Sequence, residues 1–91
     1  MKTICKEASV GFVESNDALV TVRPNAAGQG VTVALTSSVK RQYGEHLEKL
    51  VVETVKAAGY TDVHVEVQDK GAWDYALEAR VVAALNRGDE A

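Results

Sequence analysis

The unbroken alternation of Val63, Val65 and Val67 with His64, Glu66 and Gln68 constrains the fold more than any other feature of the chain. Successive side chains of an extended strand point to opposite faces, so this segment has one dry face and one wet face. A strand buried on both faces would read as a continuous apolar run instead. The chain must therefore build a sheet that is covered on one side and open on the other, with His64 and Glu66 on the open side.

Other segments supply more strands. In GFVESNDALVTV, Gly11 to Val22, two apolar arms meet at the polar tip Glu14, Ser15, Asn16 and Asp17. The first arm, Ser9 to Glu14, carries Val10 and Phe12 on one face and Val13 on the other; the second carries Ala18, Val20 and Val22. A tight hairpin turn needs positive φ, which Gly adopts freely and Asn or Asp tolerate. Asn16 can make that turn, which leaves Ser15 beside the apex with its hydroxyl in water. Pro24 lacks a backbone donor and ends the second arm, and Asn25 to Gly30 forms a loop. Val31, Val33 and Leu35 then alternate with Thr32 and Ala34 as a third strand. Three consecutive strands with short connections predict an antiparallel meander.

Two helical patterns provide the cover. Thr36, Ser37 and Ser38 offer N-cap hydroxyls before a stripe of Val39, Tyr43, Leu47, Leu50, Val51, Thr54, Val55 and Ala58. Gly59 stands where a left-handed residue ends such a helix, and Gly44 weakens its interior by about 1 kcal/mol relative to Ala. The second pattern starts near Ala72, places Trp73, Ala76, Leu77, Val81, Ala84 and Leu85 on one stripe, and ends before Gly88. The order is strand, strand, strand, helix, strand, helix. If the third and fourth strands are parallel, the helix between them is a right-handed crossover and both helices cover one face. The expected class is α+β: a two-layer sandwich of a mixed sheet of about four strands with two helices on one face. One domain spans residues 1–91, with 1–8 and 88–91 expected to be flexible ends.

Composition removes several functions. At 91 residues the chain is too small for a deep cleft between lobes, which disfavours catalysis by this chain alone. A net charge of −3 lacks the electrostatic footprint of a nucleic-acid or anionic-membrane binder and favours partners with basic surfaces. No apolar run approaches the roughly 20 residues of a membrane span, and MKTICKEAS lacks a signal-peptide core. The single Cys5 cannot close an internal disulfide. A cytoplasmic protein is expected.

Candidate chemistry concentrates at two places. Ser15 as a hydrolytic nucleophile needs an oriented base, and His46 and His64, the only histidines, are not set near the tip by spacing. Nor do they have metal-ligand spacing, so neither a metal site nor a catalytic residue is assigned. Ser15 is either an ordinary turn serine or a displayed one. Asp69, Lys70 and Gly71 bridge a strand end to a helix start. There a carboxylate cap competes with an anion site to which Lys70 adds charge.

VESNDALVTV, TSSVKRQYG and QDKGAWDYALEARVVAAL, in this order from about Gly11 to Leu85, resemble the acyl carrier protein, or gamma subunit, of citrate lyase. In that family a Glu-Ser-Gly-Asp tip bears phosphoribosyl dephospho-coenzyme A through a phosphodiester on its serine. Ser15 stands in that place between Glu14 and Asp17, and Asn16 replaces the glycine. The resemblance implies a non-catalytic carrier of acetyl and citryl thioesters. A prosthetic-group transferase attaches the arm, the alpha subunit exchanges acetyl for citryl, and the beta subunit releases oxaloacetate. Glu14, Asp17 and Lys70 are then candidates for partner docking. The carrier of malonate decarboxylase or citramalate lyase is the nearest alternative, and a protein-interaction module without a covalent arm is the alternative from another class.

Overall fold

The computed structural model describes residues 1–37 and 44–90. It contains β1 (Ala8–Gly11), β2 (Ala18–Pro24), β3 (Val31–Ser37), α1 (Gly44–Ala57), β4 (Val63–Asp69) and α2 (Asp74–Asp89). The strands form one mixed sheet in the order β1-β2-β4-β3. β1 and β2 are antiparallel, β2 and β4 are antiparallel, and β3 runs parallel to β4. Both helices pack on the same face, α2 over β1 and β2 and α1 over β3, and they touch each other.

The dry face of β4 is the centre of the core. Val63, Val65 and Val67 are buried beside Val20 and Val22 of β2 and beneath Leu47, Val51 and Val55 of α1 and Leu77, Val81 and Leu85 of α2. Val31, Val33 and Leu35 pack against this cluster from the sheet edge and stay partly exposed. On the open face the polar side chains pair across strands. Ser9 Oγ lies 2.8 Å from Thr21 Oγ1, Arg23 Nη2 donates to Glu66 Oε1 at 2.6 Å, and His64 Nδ1 lies 2.7 Å from Thr32 Oγ1.

The expected meander does not form, because β4 lies between β2 and β3. The connection after Pro24 steps across the start of β4, and Asp62 anchors it there. The Asp62 carbonyl accepts from Asn25 N at 2.9 Å and its carboxylate from Gly30 N at 2.8 Å. Two strand spacings are about 10 Å and six extended residues reach about 20 Å, so the loop has ample length. Thr36 and Ser37 are not helix caps either. They close β3 opposite Gln68 and Asp69, while Ser38, Val39 and Tyr43 lie outside the described residues. Gly59 fills its expected role at φ +89, just past α1.

The two ends of the chain meet. Lys2 bridges to Tyr60, Ile4 is buried, and the Gly88 carbonyl accepts from the backbone N–H groups of Cys5 and Lys6 at 2.8 and 3.2 Å. Gly88 lies inside α2 and does not follow its end. A Cβ there would approach the Lys6 carbonyl oxygen to 3.0 Å, so the close crossing of the N-terminal segment favours glycine. The Tyr60 hydroxyl donates to Asp89 Oδ2 at 3.0 Å and ties the end of α2 to the same region. No described helix is long and apolar enough to cross a membrane.

The one-sided core makes a direct expectation. Val65→Ala should lower unfolding free energy by about 2 kcal/mol, from lost burial plus an unfilled cavity. Gln68→Ala, on the wet face of the same strand, should stay within about 0.5 kcal/mol. Urea denaturation of both variants measures the contrast.

Candidate functional site: a braced serine tip

β1 stops at Gly11, earlier than the apolar pattern predicts. Gly11 has φ +108, and a Cβ on it would sit 2.0 Å from the Ala18 carbonyl oxygen, so only glycine lets the two backbones approach here. Phe12 to Asp17 consequently leave the β1–β2 ladder as a loop. Phe12 and Val13, expected within the arm, are 61% and 49% exposed.

The apex is a turn closed by a hydrogen bond from Asp17 N to the Glu14 carbonyl at 3.1 Å. Its third residue, Asn16, has φ +65, a position that suits Gly best and Asn next. Asn16 thus does the conformational work of a glycine. Ser15, second in the turn, is exposed, and its hydroxyl has no hydrogen-bond partner among the described residues. Any group joined to Ser15 Oγ therefore displaces no hydrogen bond among the described residues, and the site fits a covalent attachment.

The loop takes its support from β4 and α2. Asn16 N donates to the Lys70 carbonyl and Lys70 N donates to the Asp17 carbonyl, both at 2.9 Å, continuing the β2–β4 pairing past Asp69. The Asp17 carboxylate holds Arg80 of α2. Arg80 Nη2 donates to Asp17 Oδ1 at 3.0 Å and Oδ2 at 2.9 Å, and Arg80 Nε to Oδ1 at 3.2 Å. Ala18 N donates to the same Oδ1 at 2.7 Å. The Arg80 hydrogen bonds, then the Ala18 N–H, hold the Asp17 carboxyl below its ordinary value of 3.8.

The Asp-Lys-Gly-Ala segment is shaped by Asp69, which is 1% exposed. Its Oδ1 accepts from Gly71 N and Ala72 N at 3.2 and 3.0 Å, and its Oδ2 accepts from Ser37 Oγ at 3.2 Å. The carboxylate closes the loop and is not a helix cap. α2 starts only at Asp74, its N-cap is Trp73, and no side chain caps it. Trp73, read from periodicity as a core residue, is 68% exposed.

Among the residues singled out from sequence, the structure brings Glu14, Ser15, Asp17 and Lys70 together. The Lys70 ammonium has no ion pair among the described residues. His46 and His64 are elsewhere: His46 Nε2 lies 2.7 Å from Asp74 Oδ2, and His64 is on the open sheet face. Cys5 is exposed as a free thiol, and the described residues contain no metal-ligand cluster. A groove between α1 and α2, lined by Ala57, Ala58, Tyr75, Ala79 and Val82 among others, includes none of the tip residues. Sequence reasoning missed Arg80, which stands 63 positions after Asp17, so no local spacing links the two.

A family model described as malonate decarboxylase delta subunit (MdcD), an acyl carrier protein, matches residues 5–88. The citrate lyase acyl carrier protein of Fusobacterium nucleatum is 46% identical over 88% of this chain and 84% of its own length. Those of Halothermothrix orenii and Streptococcus mutans are 37% and 43% identical, over 96% and 92% of this chain and 90% and 81% of theirs. The chain belongs to the citrate lyase acyl carrier protein family. Members are named as carriers and not as catalysts. A chain in the crystal structure of a Pseudomonas malonate decarboxylase hetero-tetramer in complex with malonate shares the fold. Its TM-score is 0.78 over 91% of this chain and 84% of that one, at 19% identity.

The Asp17–Arg80 pair gives an acid signature. A carboxyl held below its ordinary value in the folded state binds protons more weakly there than in the unfolded chain. Its contribution is complete above 3.8 and is lost as pH falls through the lowered folded value. Arg80→Met should therefore be less stable than wild type at pH 7, and its stability should decline less steeply below pH 3.8, as read from urea midpoints across pH.

Proposed function

We propose that this chain is the acyl carrier subunit of a citrate lyase complex and that Ser15 carries its phosphoribosyl dephospho-coenzyme A arm. One observation carries the reading: an exposed serine hydroxyl, without a hydrogen-bond partner among the described residues, at the apex of a turn whose backbone and flanking carboxylate are fixed from two other elements. The covalent arm would supply a thiol on which acyl groups travel as thioesters between the sites of a complex. This chain's residues hold the point of attachment. Asn16 sets the turn, Asp17 and Arg80 fix its angle, and the Lys70 backbone stops it swinging away from β4. No general base is needed on the carrier, because the transferase that uses Ser15 as substrate can supply one. Tethering keeps the acyl group at high effective concentration while the arm visits successive active sites.

The partners in this reading are the arm transferase and the alpha and beta lyase subunits, and we place the assembly in the cytoplasm. Of the charged groups at the tip, Asp17 is occupied with Arg80, so Glu14 and Lys70 are left to meet partners. A malonate decarboxylase carrier is the second reading, favoured by the description of the family model and by the structural likeness. The identities of 37–46% with citrate lyase carriers favour the first.

Ser15→Ala should fold with a stability within about 0.5 kcal/mol of wild type, as exposed substitutions usually do. It should gain no mass when incubated with the transferase and the activated phosphoribosyl dephospho-coenzyme A donor, whereas Ser9→Ala and Ser37→Ala should gain the full arm. Equal mass gain by the Ser15→Ala chain would refute the assignment. Glu14→Lys should slow attachment chiefly at low ionic strength, because an exposed rim charge acts on encounter and is screened by salt. A rate independent of salt in both proteins would remove Glu14 from docking.

A further inference from the structure

Two of the large apolar side chains that the fold leaves in water stand immediately before the serine turn, and a third lies a short stretch of chain away. Among the described residues six large apolar side chains are exposed: Met1, Phe12, Val13, Trp73, Tyr75 and Val82. Phe12 and Val13 immediately precede the turn. Lys70 is hydrogen-bonded through its backbone to Asn16 and Asp17, and Trp73 follows only three residues later, within about 10 Å of chain. Phe12 and Trp73 are also the positions where the apolar pattern calls for burial and the structure withholds it, at 61% and 68% exposure.

We propose that Phe12, Val13 and Trp73 form an apolar rim through which the enzyme that modifies Ser15 seats the tip in its active-site mouth. This rests on the reading of Ser15 as the attachment residue and adds to it the surface that makes the serine recognisable. An enzyme that takes a short hydroxyl side chain into its active site must also cover the surface beside it, and here Val13 and Phe12, two and three residues before Ser15, are exposed on that surface. Aromatic side chains are the usual anchors of such contacts, since each buries a large area while fixing few torsions. Glu14 and Lys70 give the rim its polar margin. The occupant is therefore an enzyme surface with apolar pockets around a hydroxyl-accepting site. A second copy of this chain would have to bury the serine it displays, which would defeat the display.

Trp73 is the only tryptophan, so a chain labelled with 5-fluorotryptophan reports this surface through a single fluorine resonance. Adding the arm transferase should shift or broaden that resonance in proportion to complex formed. Phe12→Ser and Trp73→Ser should each raise KM for arm attachment at least about tenfold, as truncated anchors do, with kcat within about twofold. A resonance that does not respond while Ser15 is being modified would overturn the rim, as would unchanged KM in both variants. A resonance that moves with carrier concentration alone would overturn it too, by showing that a second copy covers the patch. In the last three cases attachment at Ser15 still proceeds and the carrier reading survives. A wild-type chain that is never modified would sink both.

Discussion

The Asp17–Arg80 pair joins two points separated by 63 residues, and the position of Ser15 depends on it. A loop of this length at a hairpin end would ordinarily sample many orientations. Here the carboxylate two residues from the serine is gripped through three guanidinium hydrogen bonds and a backbone N–H, and the peptide between them is bonded to Lys70. The planar fork of Arg fixes direction as well as distance, which a lysine could not do. Ordering done within the carrier need not be done again on each encounter with a partner.

The grip works only because the sheet is covered on one side. α2 lies over β1 and β2, which brings Arg80 alongside the base of the loop, and Leu77 and Val81 on the same helix are fully buried. The core therefore sets where the guanidinium stands. Gly11 completes the arrangement from the other direction: its missing side chain leaves room for the Ala18 carbonyl and the Arg80 stem, whose Cδ would lie 3.2 Å from a Cβ at that position. Asp69 plays a parallel part on the β4 side, where a buried carboxylate shapes the Lys70 loop that holds the tip.

What the sequence makes legible follows from locality. The period of two in Val63 to Gln68, the helical stripe through Leu47, Val51 and Val55, the positive φ of Asn16 and the stop at Gly59 are all properties of short segments, and the structure has them. Strand order is not local. Nothing near Pro24 or Val31 announces that β4 will insert between their strands, since that follows from the centre of the core favouring the strand with the driest face. Thr36 and Ser37 suit a strand end and a helix cap equally well by composition. In sequence Arg80 is one more charge within a helical pattern. Phe12 and Trp73 are exposed against the pattern because periodicity assigns every apolar side chain to the protein's own core and has no means of marking one that the fold leaves in water.

The central claim is that Ser15 is the residue that bears the arm. Its most direct test is peptide-level mass spectrometry of the chain isolated from cells growing on citrate, with fragmentation sufficient to locate the modified residue. The account predicts the mass of a phosphodiester-linked phosphoribosyl dephospho-coenzyme A on Ser15 and on no other serine. A chain from an active lyase complex with Ser15 unmodified, or with the arm on another residue, would contradict it.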